Sequence, residues 1–134
     1  FSWRLDCRAA ARITGPLLWR DMRSGDQVCR PEELGDVILG RKDCAASYHI
    51  AVVVDDAAQG VTHVSRGEDL FPVTGIHRTL QALLGLPVPQ WYHHRLVKDA
   101  SGKRLAKRDR SLSLQEMRAA GMRPEDVFRL MRES

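Results

Sequence analysis

The chain has 134 residues, of which 43% are hydrophobic and 28% charged, and its three cysteines lie at widely spaced positions without a CxxC pair. This length suffices for one modest hydrophobic core, and the cysteine pattern argues against both a disulfide framework and a zinc site. The sequence has no long apolar run and no secretory leader, so we expect a cytoplasmic protein that does not bind membranes. The net charge of +4 and the pI near 9.3 favour a polyanionic partner, but a solvated basic surface would give the same values.

The first third of the chain favours short strands. Residues 1–5 alternate as in a strand, and residues 7–13 favour a short helical turn. Residues 17–19 and 27–30 are predicted to be two strands that flank a turn at residues 21–26. This region therefore contains a predicted hairpin.

The central stretch contains two runs rich in β-branched residues. After a predicted strand at residues 36–43, the apolar run Ile50–Val54 is bounded by turn residues, and a second run, Val61–Val64, follows Gly60. A continuous run of this kind is typical of a strand that is buried on both faces of a parallel sheet. Polar residues at the ends of such strands are common ligand-binding groups in α/β proteins.

The remaining elements support an α/β protein. Residues 74–84 have the spacing of a helix that packs on a sheet, and residues 91–97 favour another strand. Residues 98–110 are polar and basic, which predicts a surface loop, and two helices are expected at residues 115–120 and from Pro124 onward. The order strand, helix, strand indicates the α/β class.

The acidic pair Asp55–Asp56 and the five histidines are the candidate metal ligands of this sequence. A carboxylate pair can hold Mg²⁺, but without further ligands it more often ends a strand. His93 and His94 are adjacent on a predicted strand, so their rings point to opposite faces and cannot share one ion. We therefore predict no metal site in this chain.

Three segments resemble a known enzyme family. The sequences of Tyr48–Asp56, Gly60–Val64 and Arg66–Asp69 closely resemble the second half of the catalytic domain of glutamyl-type class I aminoacyl-tRNA synthetases. Within that family they look most like the glutamyl-Q subgroup, short paralogues that attach glutamate to queuosine in a tRNA anticodon. The resemblance covers residues 1–110, and Lys103–Arg108 stands where the family has its KMSKS signature.

The resemblance implies roles in adenylate formation for the signature loop. Lys107 matches the catalytic lysine, Arg104 takes the place of the first lysine, and Ala106 replaces the serine. A lysine on a mobile loop can stabilise the charge that develops on the phosphates of ATP as pyrophosphate leaves. Replacement of lysine by arginine keeps the charge but alters the geometry.

The resemblance also implies substrate-binding residues. Tyr48 and Arg66 match the residues that bind glutamate, and a guanidinium is well suited to a carboxylate. Asp69, Leu70 and Val97 match positions near ATP. The residues alone leave another interpretation open, because an arginine at a strand end can pair with a neighbouring acid, and a tyrosine that opens a strand, as Tyr48 is expected to do, can simply pack.

The implied fold is the second half of a Rossmann-like catalytic domain. Residues 1–46 would end a β-rich acceptor-binding insertion, residues 47–110 would complete the sheet and carry the signature loop, and residues 111–134 would form short helices. The family's HIGH signature has no counterpart in this sequence. We therefore expect a fragment that carries half an active site and is inactive alone. The implied cofactor is ATP with Mg²⁺, and a zinc site upstream of Phe1 is possible within the family.

The parent enzyme is expected to be a monomer that activates L-glutamate with ATP and transfers it to the tRNA(Asp) anticodon loop. Only 27 residues follow Lys107, too few for a separate anticodon-binding domain if Ser134 is the natural end, which favours the glutamyl-Q subgroup. The alternatives are a fragment of an ordinary glutamyl-tRNA synthetase and a catalytically silent RNA-binding module. Retention of Tyr48, Arg66 and Lys107 together argues against the silent module.

Overall fold

The computed structural model describes residues 1–98 and 113–133, and the chain divides into two compact units, residues 1–93 and 94–134. In the first unit, strands and helices alternate along the chain. The strands are β1 (Ser2–Leu5), β2 (Leu18–Asp21), β3 (Gly25–Val28), β4 (Val37–Arg41), β5 (His63–Gly67) and β6 (Gln90–His94). The helices are α1 (Cys7–Thr14), α2 (Tyr48–Ala58) and α3 (Thr74–Leu84), with short 3₁₀ turns at Pro31–Leu34 and Glu68–Leu70.

Four strands form one sheet in the order β3-β2-β6-β5. The β2–β3 pair is an antiparallel hairpin, whereas β2 and β6 run parallel and meet at Asp21 and Trp91. The N–H of Gln90 donates to the carbonyl of Thr62 at 2.9 Å, before β5 begins. Since Arg66 contacts His93 near the other ends of these strands, β5 and β6 also run in the same direction. Strands β1 and β4 pair antiparallel in a separate, two-stranded sheet.

The predicted strand at Ile50–Val54 is wrong, because this run lies in helix α2. The β-branched residues also fit a helix, since Val53, three positions after Ile50, turns to the same side and is buried in the core. The helix begins after Ser47, whose N–H donates to the carbonyl of Leu39 at 2.7 Å and so fixes the start of α2 against β4. Tertiary packing has overridden the β propensity of the run.

Most other predicted elements are confirmed, with shifted bounds. Strand β5 begins at His63 rather than Val61, and β6 ends at His94 rather than Val97. The helix at Thr74–Leu84 is confirmed, and Gly85 follows it with φ +64°, a left-handed conformation that glycine adopts without strain. The parallel strands and the packed helices confirm the α/β class.

The hydrophobic core joins α1, α2 and α3. Cys7, Val53, Ile76 and Leu80 are buried together, and partly buried residues of β1, β4 and α2 pack against them. Helix α3 therefore presents Ile76 and Leu80 to this core, while its first residue, Thr74, lies among polar groups at the end of the sheet. One helix thus supports both the core and the polar cluster.

In the second unit the described residues include helices α4 (Leu114–Ala119) and α5 (Pro124–Glu133). Helix α4 begins with a capping box, in which the side chain of Ser113 accepts from the N–H of Glu116 and the Glu116 carboxylate accepts from Ser113. Both predicted terminal helices are confirmed. Among the described residues, no helix is long and apolar enough to cross a membrane.

Candidate active site

A cluster of polar side chains lies where three strands of the larger sheet end. Asp21 is the last residue of β2, and Arg66 and His93 are the next-to-last residues of β5 and β6. The strands run in the same direction, so these three side chains meet at the carboxyl edge of the sheet, the usual position of ligand sites in α/β proteins. The first turn of α3 adds Thr74 and His77.

The guanidinium of Arg66 is held by four hydrogen bonds. Its Nε donates to Nε2 of His93 and its Nη1 to Nδ1 of His77, both at 3.0 Å. Its Nη2 donates to the Thr74 hydroxyl at 2.7 Å and to the Leu70 carbonyl at 3.4 Å. Every one of these acceptors is electrically neutral, so they fix the orientation of the guanidinium without cancelling its charge.

The positive charge of Arg66 has no close counter-ion in the part of the chain that the structure describes. No carboxylate of residues 1–93 forms an ion pair with it. Burial lowers the pKa of the guanidinium, and Tyr48, Asp56 and Asp69 act in the opposite direction. A half-buried cation with neutral ligands favours an anionic partner, because desolvation without a compensating charge is unfavourable.

Two neighbouring histidines are kept neutral. Burial and the charge of Arg66 lower the pKa of His77 to about 3, and the same causes lower the pKa of His49. Since Nδ1 of His77 accepts from Arg66, its Nε2 carries the hydrogen and donates to Nδ1 of His49 at 3.0 Å. The ring of Tyr48 packs edge-on against both imidazoles.

Asp21 anchors the other side of the cluster. Its fully buried carboxylate accepts hydrogen bonds from the N–H groups of Arg23 and Ser24, and its Oδ2 lies 2.7 Å from Nδ1 of His93. Burial by itself would raise the pKa of Asp21, but the hydrogen bonds from His93, Ser24 and Arg23 outweigh it, so the pKa is lowered. Asp21 is therefore a buried carboxylate that is held in its ionised form.

The structure brings together Tyr48, Arg66, Asp69 and Leu70. Tyr48 is the first residue of α2 and is half exposed, so the expectation that it opens a strand is wrong. Arg66 lies inside β5 rather than just past it. Asp69 and Leu70 lie in the 3₁₀ turn that follows β5, and the Leu70 carbonyl contacts Arg66 directly.

The other three predicted residues lie outside the described part of the first unit. Val97 lies beyond the end of β6, in the second unit. Arg104 and Lys107 of the predicted signature loop lie outside the described residues.

Sequence reasoning missed Asp21, Thr74, His77 and His93 as parts of the site. One signal was available for His93, since it follows Trp91 by two positions and both residues are buried on the same face of β6. His77 likewise follows Ile76 on the buried side of α3. A polar residue at a core-facing position is the informative pattern, because it needs a hydrogen-bonding partner.

The described residues contain no group of three or more histidine, cysteine, aspartate or glutamate side chains placed to hold a metal ion. The Asp21–His93 pair is surrounded by hydrogen-bond donors, and the Arg66 guanidinium lies next to His93. A cation at this point would be repelled by Arg66. The charge of Arg66 therefore favours an anion over a cation at this position.

A comparison with known families matches residues 5–133 to the family described as tRNA synthetases class I (E and Q), catalytic domain. The chain belongs to this family. A glutamyl-Q tRNA(Asp) synthetase from Rhodobacter capsulatus is 53% identical over 120 residues, which are 88% of this chain and 42% of that protein. The protein of the same name from Nocardia farcinica is 50% identical, over 74% of this chain and 32% of its own length.

Relatives with another name are less similar. A glutamate–tRNA ligase 2 from Nitratiruptor is 34% identical over 92% of this chain and 27% of its own length. Among solved structures, a glutamate–tRNA synthetase from Elizabethkingia anophelis has a TM-score of 0.60 and 30% identity, and covers 70% of this chain and 19% of the other. This chain thus spans about two fifths, or less, of the length of these synthetases.

Proposed function

We propose that the whole protein that carries this chain activates L-glutamate with ATP and transfers it to queuosine in the anticodon loop of tRNA(Asp). The observation that carries the proposal is the Arg66 guanidinium, oriented by four neutral acceptors and without an ion-pair partner among the described residues. In a chain of the glutamyl and glutaminyl synthetase family, this charge suits an acidic rather than an amide side chain.

Arg66 would receive the side-chain carboxylate of glutamate through the one guanidinium hydrogen, on Nη1, that these four hydrogen bonds leave available. The guanidinium has five N–H groups in a planar fork, and the His93, His77, Thr74 and Leu70 contacts leave part of Nη1 for a ligand. Tyr48, half exposed and adjacent to His49 and His77, would add its hydroxyl. A charge-assisted pair with these fixed donors would distinguish glutamate from glutamine.

The remaining roles concern ATP. We assign Asp69, Leu70 and Val97 to the nucleotide, and Arg104 and Lys107 to its phosphates, with Lys107 stabilising the charge that develops as pyrophosphate leaves. The described residues offer no set of metal ligands, so Mg²⁺ would be held by the phosphates of ATP. Bound in that way, Mg²⁺ would help to neutralise the phosphate charge.

The assignment of the tRNA acceptor rests on the sequence identity to relatives of two names. Relatives named glutamyl-Q tRNA(Asp) synthetase are 53% and 50% identical to this chain, whereas relatives named glutamate–tRNA ligase 2 are 34% and 40% identical. The higher identity supports queuosine-containing tRNA(Asp) as the acceptor. The second candidate, aminoacylation of tRNA(Glu), is supported by the ligases of lower identity.

Acylation assays with the whole protein decide between these acceptors. With labelled glutamate and ATP, we expect charging of tRNA(Asp) that contains queuosine and no charging of tRNA(Asp) that lacks queuosine or of tRNA(Glu). Efficient charging of tRNA(Glu) would assign the protein to the ordinary ligases. Absence of any glutamate-dependent adenylate formation would support the silent RNA-binding module instead.

A further inference from the structure

Asp21 and His93 form a buried pair directly behind Arg66. His93 is 2% exposed and Asp21 is 1% exposed. The imidazole lies between the carboxylate and the guanidinium, with Nδ1 2.7 Å from Oδ2 of Asp21 and Nε2 3.0 Å from Nε of Arg66. Hydrogen bonds thus connect the three groups in the order carboxylate, imidazole, guanidinium.

The hydrogen-bonding partners fix the tautomer of His93. The carboxylate of Asp21 can only accept, so Nδ1 of His93 carries a hydrogen and donates it. Nε2 then has a lone pair that accepts from Nε of Arg66, which can only donate. The opposite tautomer would set two N–H groups against each other at this position.

We propose that Asp21 and His93 are positioning residues that orient Arg66 for the substrate carboxylate, an inference that rests on the proposed function of Arg66. If Asp21 contacted Arg66 directly, it would form an ion pair and cancel the charge that glutamate needs. The neutral imidazole conveys the orienting effect of the carboxylate and keeps the two charges apart. The backbone N–H groups of Arg23 and Ser24 hold Asp21 itself in place.

A purely structural role for the pair is the competing explanation, and two substitutions of His93 separate it from positioning. The amide of His93→Asn replaces Nδ1 and can still donate to Asp21, but it leaves Nε of Arg66 without its acceptor. The amide of His93→Gln reaches the place of Nε2 and can still accept from Arg66, but it loses the bond to Asp21. His63→Asn is the matched control, because His63 is exposed and lies on the opposite face of β5 from Arg66.

Steady-state glutamate activation is measured for these variants of the whole protein, with thermal unfolding measured in parallel. We expect His93→Asn to raise the KM for glutamate about tenfold with little change in kcat, since it removes one hydrogen bond to a charged group. His93→Gln should stay within about threefold of the unsubstituted protein, because it keeps the acceptor. His63→Asn should leave the KM unchanged.

Equal KM values in His93→Asn and His93→Gln, with matching losses of thermal stability, would overturn the positioning role. If His93→Asn does not fold, Asp21→Asn takes its place, because it preserves the size of the side chain but removes the carboxylate charge that fixes the tautomer of His93. Asp21→Asn should raise the KM by about fivefold to tenfold, and an unchanged KM would overturn the proposal. Arg66→Ala separates the proposed function of Arg66 from the positioning role of Asp21 and His93. If Arg66→Ala leaves the KM for glutamate unchanged, the proposed function fails. If Arg66→Ala raises the KM and His93→Asn does not, only the positioning role fails.

Discussion

Arg20 and Arg66 lie on two strands of the same sheet, β2 and β5, but their surroundings differ in kind. Arg20 extends into solvent and pairs with Asp26 across the hairpin at 2.9 Å, with both side chains about 60% exposed. Arg66 is half-buried, and its hydrogen-bond acceptors are two imidazoles, a hydroxyl and a carbonyl. Arg20, whose charge solvent could already screen, has a carboxylate partner. The more shielded Arg66 is bound by neutral acceptors instead.

This contrast is the physical basis for proposing that Arg66 is the functional arginine. An exposed ion pair contributes roughly 0–1 kcal/mol and is screened by salt. A shielded charge without a counter-ion is unfavourable for folding, so its retention needs another reason, and a substrate carboxylate supplies one.

The largest expected effect comes from the signature loop, and it separates ground-state binding from transition-state stabilisation. Lys107→Ala in the whole protein should lower the rate of adenylate formation by about 100-fold to 1,000-fold, because in the proposed role the lysine would contact charge that develops on the phosphates. The KM for glutamate should change much less. Rapid-quench measurement of adenylate formation checks this, and a variant that loses glutamate affinity while keeping its rate would contradict the assigned role.

Arg66→Ala should raise the KM for glutamate by about 100-fold with a smaller change in kcat. Loss of a charge-assisted hydrogen bond to substrate costs roughly 1.5–3 kcal/mol, and the contact exists before the reaction begins. Steady-state kinetics of ATP–pyrophosphate exchange with varied glutamate measure it. A large fall in kcat at unchanged KM would show that Arg66 acts on the transition state instead.

His77, which accepts a hydrogen bond from Arg66, should make the stability of the protein depend on pH. Its pKa is about 3 in the folded protein, below the ordinary value of 6.5, so between these values the unfolded chain binds more protons. The free energy of unfolding should therefore decrease as the pH falls below 6.5, by at most about 1.4 kcal/mol per pH unit for this group. His77→Asn keeps an acceptor for Arg66 and should make the slope shallower.

Urea unfolding of the whole protein at several values between pH 4 and pH 7 provides the slope. Burial and the charge of Arg66 also lower the pKa of His49, so some slope should persist in the His77→Asn variant. Identical slopes in the two proteins would mean that His77 is not the group that resists protonation.

The smallest effect is expected at Arg20. Arg20→Ala removes one exposed ion pair, so the free energy of unfolding should change by less than about 1 kcal/mol and the KM for glutamate should not change. Thermal unfolding and the exchange assay together test this. A KM effect similar to that of Arg66→Ala would remove the distinction between the two arginines.

The pattern of the sequence predicted the hairpin, helix α3 and the terminal helices well, because glycine, proline and apolar spacing mark them locally. It failed at Ile50–Val54, where a β-branched run forms helix α2. Nothing local distinguishes a buried strand from a buried helix in so short a run; the contacts of Val53 with α3 and the core decide it.

Only part of the candidate site could be predicted from the sequence, for a similar reason. Tyr48 and Arg66 came from the resemblance of their surrounding residues to a family. Asp21, Thr74 and His93 are separated by tens of residues in sequence and meet only because strand ends converge at one edge of the sheet. No spacing rule joins them before the order of the strands is known.

The central claim is that Arg66 recognises the negative charge of the substrate, and the direct measurement is a comparison of glutamate with glutamine, which has the same shape without the charge. Exchange assays give kcat/KM for both amino acids in the unsubstituted protein and in the Arg66→Ala and Arg20→Ala variants. We predict a preference for glutamate of about 100-fold or more in the unsubstituted protein and in Arg20→Ala, and a ratio near one in Arg66→Ala. A preference for glutamate that survives in Arg66→Ala would contradict the account.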